Sequence, residues 1–111
     1  MNTENKELLL KDLCTRLPYG VICKILFVKE KLKADYIKYL QKDTTFQIKP
    51  YLRPMSSMTE EEQNEFDYLR FRHNEEGWLD FVLSRHLDWR DLIEKGLALE
   101  APEGMYNTKT E

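Results

Sequence analysis

The stretch between residues 48 and 62 constrains the fold of this chain more than any other part of the sequence. Pro50 has no backbone N–H to give to a strand ladder, so we expect it to end the strand before it, and Pro54 keeps the chain extended. Thr59 and Glu62 match a capping box, in which two side chains satisfy free N–H groups at a helix start. The stretch therefore separates a half whose composition suits strands from a helical half.

The sign of the charge changes across the same stretch. Residues 1–58 carry 11 Lys and Arg against 6 Asp and Glu, whereas residues 59–111 carry 6 against 14, so the net charge of −3 conceals a basic half and an acidic half. The simpler interpretation is that the two halves pack through complementary faces. The alternative is a basic face that meets an acidic partner or nucleic acid. The first is favoured, because the basic residues are lysines at mixed spacing rather than an arginine-rich groove.

Leucine spacing predicts an N-terminal helix that begins at Thr3 and ends at Leu17. Leu9, Leu13 and Leu17 recur at steps of four and share one helical face, beside which we expect Cys14 to be buried. Thr3 is the expected N-cap. The Pro-Tyr-Gly sequence that follows stops the helix, because the residue before a proline avoids the α region and the glycine permits a reversal.

The following segments predict a small antiparallel sheet of two to three strands. Residues 21–28 are dense in β-branched and aromatic residues, which predicts one buried strand, and residues 29–33 are a polar connection. Residues 34–41 fit either a short helix or a strand, and their position between better strand candidates favours the strand. Residues 42–44 would then form a hairpin turn into residues 45–49, where apolar and polar residues alternate.

The second half of the chain predicts two to three helices. The first begins at the Thr59 cap, and Asn74 is the expected cap of a second helix that ends near His86. Asp88 is the expected cap of a third short helix that ends at Lys95. The capping box at Thr59 is specific for a helix start and indicates nothing about chemistry.

A chain of 111 residues is long enough for one domain with one modest core. We therefore expect a single α+β domain over residues 1–106. Residues 97–106 show no helical or strand period and are expected to form an extended tail against the core. Residues 107–111 are expected to be disordered.

The residue types give little support for catalysis, a metal or a cofactor. The four cysteine and histidine side chains lack the close spacing of zinc modules: Cys14, Cys23, His73 and His86. Cys23 lies within a predicted strand, and a thiol in apolar surroundings is inert. Four glycines spread over the chain form no phosphate-binding loop. We therefore expect no enzyme and no cofactor.

The N-terminus lacks the basic start of a signal peptide, and no apolar run reaches the length of a membrane span. A cytoplasmic protein with no membrane partner is the resulting expectation. The leading hypothesis is a non-enzymatic module that binds another protein or itself. Five candidates for partner binding include residue types that dominate interface hot spots: Tyr51, Arg53, Met55, Trp89 and Tyr106. Residues 48–62 either seal the two halves or face a partner, and sealing is favoured.

The alternative function is a nucleic-acid-associated regulator that uses a lysine-rich sheet face. Lysines interleaved with aromatic residues bind single strands, and such a set occurs here: Lys24, Lys29, Lys31, Lys33, Lys38, Lys42, Tyr36 and Tyr39. Solvated sheet edges also carry lysines, because charge prevents edge-to-edge aggregation. The edge interpretation is favoured over nucleic-acid binding.

Three stretches of the sequence resemble a family of short proteins of gut Bacteroides-type bacteria and their mobile elements. The stretches are residues 6–20, residues 49–61 and residues 91–106. The resemblance implies no activity, cofactor or catalytic residue. It implies a bacterial, cytoplasmic accessory protein with a phage or mobile-element context. It also implies that the three stretches are either a shared core frame or a shared binding surface.

Overall fold

A computed structural model describes residues 2–43 and 45–106 of the chain, so the tail predicted at residues 107–111 lies outside the described residues. The fold is α+β, as predicted. Short 3₁₀ turns cover Leu17–Tyr19 and Met55–Ser57. The helices and strands are α1 Thr3–Arg16, β1 Ile22–Ile25, β2 Val28–Lys31, α2 Ala34–Lys42, β3 Ile48–Leu52, α3 Glu60–Phe71, α4 Glu75–Ser84 and β4 Leu99–Glu100.

The four described strands form one sheet in the order β2-β1-β3-β4. The pairs β2–β1 and β1–β3 are antiparallel, whereas β4 pairs with β3 in parallel. The sheet is therefore mixed, which corrects the predicted purely antiparallel sheet. The physical reason is that β4 returns to β3 only after the long crossover through α3 and α4, and a crossover of that length permits parallel pairing.

The prediction of one strand over residues 21–28 is wrong, because the chain reverses at Leu26 and Phe27. Residues 29–31, predicted as a polar connection, belong to β2. Ile25 and Val28 are cross-strand partners that close a two-residue hairpin loop. The sequence hides this hairpin because its loop contains none of the Gly, Asn or Asp residues that mark such turns.

The strand favoured over residues 34–41 is also wrong, and the helical alternative is the one that forms. Ile37 and Leu40 lie three positions apart in α2 and both are buried in the core. A hairpin turn between two strands at residues 42–44 is excluded, because Lys42 belongs to α2; residue 44 itself lies outside the described residues.

Pro50 lies in the middle of β3, buried, and does not end the strand as predicted. Lys49 is the partner of Lys24 on β1, and the carbonyl of Gln47 accepts the N–H of Leu26 at 3.4 Å. Ladder groups alternate along an antiparallel strand, so the backbone nitrogen of Pro50 points away from β1. The proline therefore removes no hydrogen bond from that ladder. The strand predicted over residues 45–49 is correct only at its end, because β3 begins at Ile48 and continues to Leu52.

The predicted helix starts agree better with the structure than the predicted strands do. The capping box is confirmed: Thr59 Oγ1 accepts the N–H of Glu62 at 3.1 Å, and Glu62 Oε1 accepts the N–H of Thr59 at 3.0 Å. The Asn74 cap is confirmed, with its Oδ1 2.9 Å from the N–H of Gly77. At α1, however, Asn2 rather than Thr3 accepts the N–H of the first turn.

The third short helix predicted to run from Asp88 to Lys95 is wrong; those residues form turns. Asp88 does act as a cap, because its carboxylate accepts the N–H groups of Leu92 at 2.8 Å and Ile93 at 2.9 Å. Asp91 has φ +60°, which a right-handed helix does not allow, and this interrupts the segment.

Two clusters of buried side chains form the core. One joins α1, α2 and the sheet with Leu92 and Leu97, and the other joins α3 and α4 with Leu87. Cys23 is completely buried in the first cluster, whereas Cys14 is exposed, which corrects its predicted burial. Within the described residues, no helix combines the length and apolar character needed to cross a membrane.

Candidate interaction surface

Two of the residues predicted to bind a partner are interior residues of the fold. Tyr51 and Arg53 are 8% and 9% exposed. The Arg53 guanidinium donates to both carboxylate oxygens of Glu62, at 3.0 Å and 2.7 Å, and to the carbonyl of Ser57 at 3.1 Å. These hydrogen bonds lower the pKa of Glu62 against the opposing effect of its burial. Arg53 thus fastens the proline-containing stretch onto α3.

The other three predicted residues are half-buried and also connect segments. The Tyr106 hydroxyl accepts the N–H of Ile22 at 2.8 Å and donates to the carbonyl of Tyr51 at 2.8 Å. Trp89 packs edge-on against Trp78 at 5.4 Å between ring centroids. Met55 packs against the α3–α4 cluster. These contacts support the sealing interpretation of residues 48–62, and partner binding by the five residues stays a prediction.

A buried ion network lies between α1 and the turns before β4. Asp12 and Arg16 are both 0% exposed, and the Arg16 Nε donates to Asp12 Oδ2 at 2.6 Å. Arg90 donates to the other carboxylate oxygen at 3.1 Å, and Arg16 Nη2 donates to the carbonyl of Leu87 at 2.8 Å. One carboxylate therefore serves two guanidinium groups, and the network joins α1 to the later part of the chain.

Two buried side chains of reactive residue types, those of Cys23 and His86, are uncharged at pH 7. Burial raises the pKa of the Cys23 thiol to about 12, so it is not a thiolate at neutral pH. Burial, helped by the charges of Arg16 and Arg53, lowers the pKa of His86 to about 4, and its ring stacks on Tyr106 at 3.8 Å between centroids. Across residues 2–43 and 45–106, no group of three or more His, Cys, Asp or Glu side chains is arranged to hold a metal ion.

An open cleft of about 480 Å³ lies beside α4, with Tyr19, Asn74 and Asp80 in its lining. The Tyr19 hydroxyl donates to Asp80 at 2.5 Å, and this hydrogen bond to a carboxylate raises the pKa of Tyr19. The hydroxyl of Tyr19 and the carboxylate of Asp80 are therefore already hydrogen-bonded to each other. The cleft shows no nucleophile paired with a base, and it gives no support for catalysis.

The loop of the β1–β2 hairpin and the first residue of β2 present three consecutive apolar side chains to solvent. Phe27 is 96% exposed, Leu26 is 57% exposed and Val28 is 50% exposed. Leu26 also has φ +57°, a conformation that bulky residues rarely adopt because of contacts around Cβ. Glycine or asparagine would form this turn with less strain and without exposed apolar surface. The loop therefore combines backbone strain at Leu26 with apolar side chains that are exposed to solvent.

Three exposed lysines lie side by side immediately behind this loop. Lys24 on β1 is the direct partner of Lys29 on β2 and of Lys49 on β3. Cross-strand partners have Cα atoms roughly 4.5 to 5.5 Å apart, and like charges in that arrangement repel. None of the ion pairs found among the described residues involves these lysines. We call the set Lys24, Leu26, Phe27, Val28, Lys29 and Lys49 the hairpin surface.

The structure brings together only part of the lysine set that the sequence predicts. Lys24, Lys29 and Lys31 alternate along β1 and β2 and share the sheet face of Tyr51, whereas Lys38 and Lys42 lie on α2. Sequence reasoning missed Leu26 and Phe27 because apolar residues at the end of an apolar run indicate a strand. It missed Lys49 because only the pairing of β1 with β3 places this residue beside Lys24.

Comparison of the chain with protein-family models, with curated proteins and with solved structures finds no match.

Proposed function

We propose that this protein is a non-enzymatic interaction module that binds a partner protein through the hairpin surface. The observation that carries the proposal is the coincidence of three local costs on neighbouring residues: exposed apolar side chains, a positive φ at Leu26 and directly opposed lysines. The positive φ costs roughly 1 to 2 kcal/mol of folding stability and the opposed lysines up to about 1 kcal/mol, whereas the exposed apolar side chains favour aggregation. Features that break local rules together are expected at functional sites.

The exposed apolar residues of α3 lack this coincidence. Tyr68 and Phe71 on α3 are 60% and 79% exposed. They occupy helical positions, and the nearest positive φ, that of His73, lies beyond the end of α3 and not at an exposed apolar residue. Single exposed apolar residues are normal on protein surfaces. The hairpin surface differs because the loop, its strain and the lysine row lie within a few residues of one another.

The proposal is tested by site-specific photo-cross-linking in the native cells. A benzophenone amino acid at position 27 is expected to give a discrete adduct with one protein, because this side chain is 96% exposed at the loop. The matched control carries the same amino acid at position 11, where the exposed Lys11 lies on α1. A second control combines position 27 with Lys24→Glu, which we expect to weaken the adduct. The same adducts from both positions, or none from position 27, contradict the proposal.

The second candidate function is nucleic-acid binding, which the four lysines on one sheet face favour. Single-strand binders also offer aromatic platforms for the bases. On this face the ring of Tyr51 offers little surface to a base, because Tyr51 is 8% exposed and the amine of Lys29 lies 5.3 Å from the centroid of its ring. A salt titration with single- and double-stranded DNA discriminates the two functions. Affinity that falls steeply with salt supports the second, and no binding at low salt contradicts it.

The proposed setting is the bacterial cytoplasm, with a partner encoded by a mobile element. Its support is the resemblance of residues 6–20, 49–61 and 91–106 to short proteins of that context. The photo-cross-linked adduct tests this setting as well, because mass spectrometry identifies the gene that encodes the partner.

A further inference from the structure

The outer edge of β2 is open. This strand is the outermost member of the sheet, and no segment in the described part of the chain pairs with its outer side. Val28, Lys29 and Lys31 are exposed along it. An edge strand carries a row of backbone N–H and C=O groups that can pair with another chain.

The register identifies which groups face outwards. The carbonyl of Val21 accepts the N–H of Leu32 at 2.8 Å, and Glu30 is the partner of Cys23. Ladder groups alternate in an antiparallel pair, so residues 28, 30 and 32 bond to β1. Lys29 and Lys31 therefore direct their N–H and C=O groups away from the sheet.

The charge beside this edge selects the kind of chain that pairs with it. Lysines on an edge strand are explained by protection against aggregation, which accounts for Lys29 and Lys31. It does not account for Lys24 and Lys49, because β1 and β3 are interior strands of the sheet. The row of lysines extends inwards from the edge and forms no ion pair with a described carboxylate, so it is complementary to negative charge on an added strand.

We infer that the partner presents an extended, acidic segment that adds as a further strand along the outer edge of β2. This inference rests on the proposed function and names the chemistry of its partner. Alternate acidic side chains of the segment face Lys29 and Lys31, and its backbone bonds to the outward groups of these two residues. An apolar residue at the end of the segment contacts Phe27, where the hairpin surface exposes most apolar area.

A second copy of this chain fits the edge poorly. Pairing β2 with β2 of another molecule would bring Lys29 and Lys31 close to the same lysines of that molecule, and opposed like charges are destabilising. The occupant is therefore a different, negatively charged chain.

Fluorescence anisotropy with a defined probe tests the inference. The probe is a short fluorescein-labelled peptide of alternating Glu and Val. One control peptide has the same sequence with N-methyl groups on alternate residues, which removes its strand-pairing donors. Another replaces Glu by Lys. We expect binding of the probe alone, weakened by salt. Equal binding of the N-methylated peptide overturns strand addition, and equal binding of the lysine peptide overturns the charge requirement.

A matched pair of protein variants isolates the backbone contact. Lys29→Gln and Lys29→Pro both remove the charge, but only the proline also removes the outward N–H. That N–H is outside the β1 ladder, so we expect both variants to keep the fold, checked by circular dichroism and urea unfolding. The proline variant is expected to bind the probe about tenfold more weakly than the glutamine variant, as for the loss of one hydrogen bond. Equal affinity of two folded variants contradicts the inference.

The outcomes separate this inference from the proposed function. If the probe fails to bind while position 27 still gives its protein adduct, strand addition is wrong and the interaction module stands. If neither occurs, both are wrong. Binding of DNA, or of vesicles that contain anionic lipid, more tightly than the probe also overturns the inference, because the lysine row then serves phosphate groups rather than a peptide.

Discussion

Two sets of charged residues in this protein differ in the charge of their neighbours. In the interior, Asp12 holds Arg16 and Arg90, and Glu62 holds Arg53 through two hydrogen bonds. On the hairpin surface, Lys24 lies between two other lysines, with no acidic partner among the ion pairs of the described residues. Interior charges are matched because an unpaired buried charge is very costly. The surface charges are left unmatched where solvent makes repulsion tolerable.

The difference indicates where the chain serves its own fold and where it serves another molecule. Matched arginines and carboxylates join distant segments, so their loss affects stability. Unmatched lysines lower stability slightly, so their loss should raise it. Four changes test this contrast, in order of decreasing effect on the free energy of unfolding.

The largest effect is expected from Asp12→Ala. This change leaves Arg16, which is 0% exposed, without its carboxylate, and we expect a loss of about 3 to 5 kcal/mol in the free energy of unfolding. Urea unfolding followed by tryptophan fluorescence measures it. Asp67→Ala on the exposed face of α3 is the control and should change stability by less than about 0.5 kcal/mol. Similar losses for both variants would remove the distinction between buried and exposed charges.

The pH dependence of stability tests the interior set through His86. Its pKa is lowered from 6.5 to about 4 in the folded protein, so between these values the unfolded chain binds a proton that the folded chain does not. Stability is therefore fully present above pH 6.5 and falls as the pH decreases towards about 4, by up to about 1.4 kcal/mol per pH unit.

His86→Asn should flatten that slope. Asparagine tolerates the φ of +59° at this position, which makes it a conservative change of backbone preference. His73→Asn is the matched control, because His73 also has a positive φ, +55°, but is exposed. Urea unfolding at a series of pH values gives the slopes. An unchanged slope in His86→Asn would show that another group carries the dependence.

The sequence predicts where α3 and α4 begin, but it misses α2 and most of the strand ends, for a physical reason. The caps at Thr59 and Asn74 are local, since each depends on residues within three positions. The turn at Leu26 and Phe27 carries no local signal, because both residue types are typical of strand interiors. The turn forms because the pairing of β2 with β1 and the packing around the hairpin stabilise it by more than the unfavourable residues of the loop destabilise it.

The candidate surface was predictable only in part. The abundance of lysine around residues 24–33 is visible in the sequence, but a row requires the register that sets Lys49 opposite Lys24. Arg53 and Tyr51 have the residue types of interface hot spots, and the same properties make them effective internal connectors. Their burial follows from contacts with Glu62 and Tyr106, which lie in later parts of the chain.

A smaller effect of opposite sign is expected from Lys24→Glu. The change places a carboxylate between Lys29 and Lys49 and should raise the free energy of unfolding by roughly 0.5 to 1 kcal/mol. The gain should shrink in high salt, because screening weakens both the original repulsion and the new attraction. Unfolding at low and high salt measures it. A loss of stability would mean that the lysine row supports the fold.

The smallest effect is expected from replacing the loop by Gly-Asn, through Leu26→Gly together with Phe27→Asn. Relief of the positive φ offsets the greater freedom of glycine in the unfolded chain, so stability should be unchanged or raised by up to about 1 kcal/mol. Thermal unfolding checks this. A substantial loss of stability would show that the apolar loop packs for the benefit of the fold.

The contacts made by the last described residues have a consequence for how the chain folds during synthesis. Arg16 finds its carbonyl partner 71 residues later in the chain, and the Tyr106 hydroxyl bridges β1 and β3 across 84 and 55 residues. At about 5 to 20 residues per second, a ribosome needs roughly 4 to 14 s to complete the first of these separations. Throughout that interval the guanidinium of Arg16 lacks its Leu87 partner, and the contacts between β1 and β3 are completed only after Tyr106 has been made.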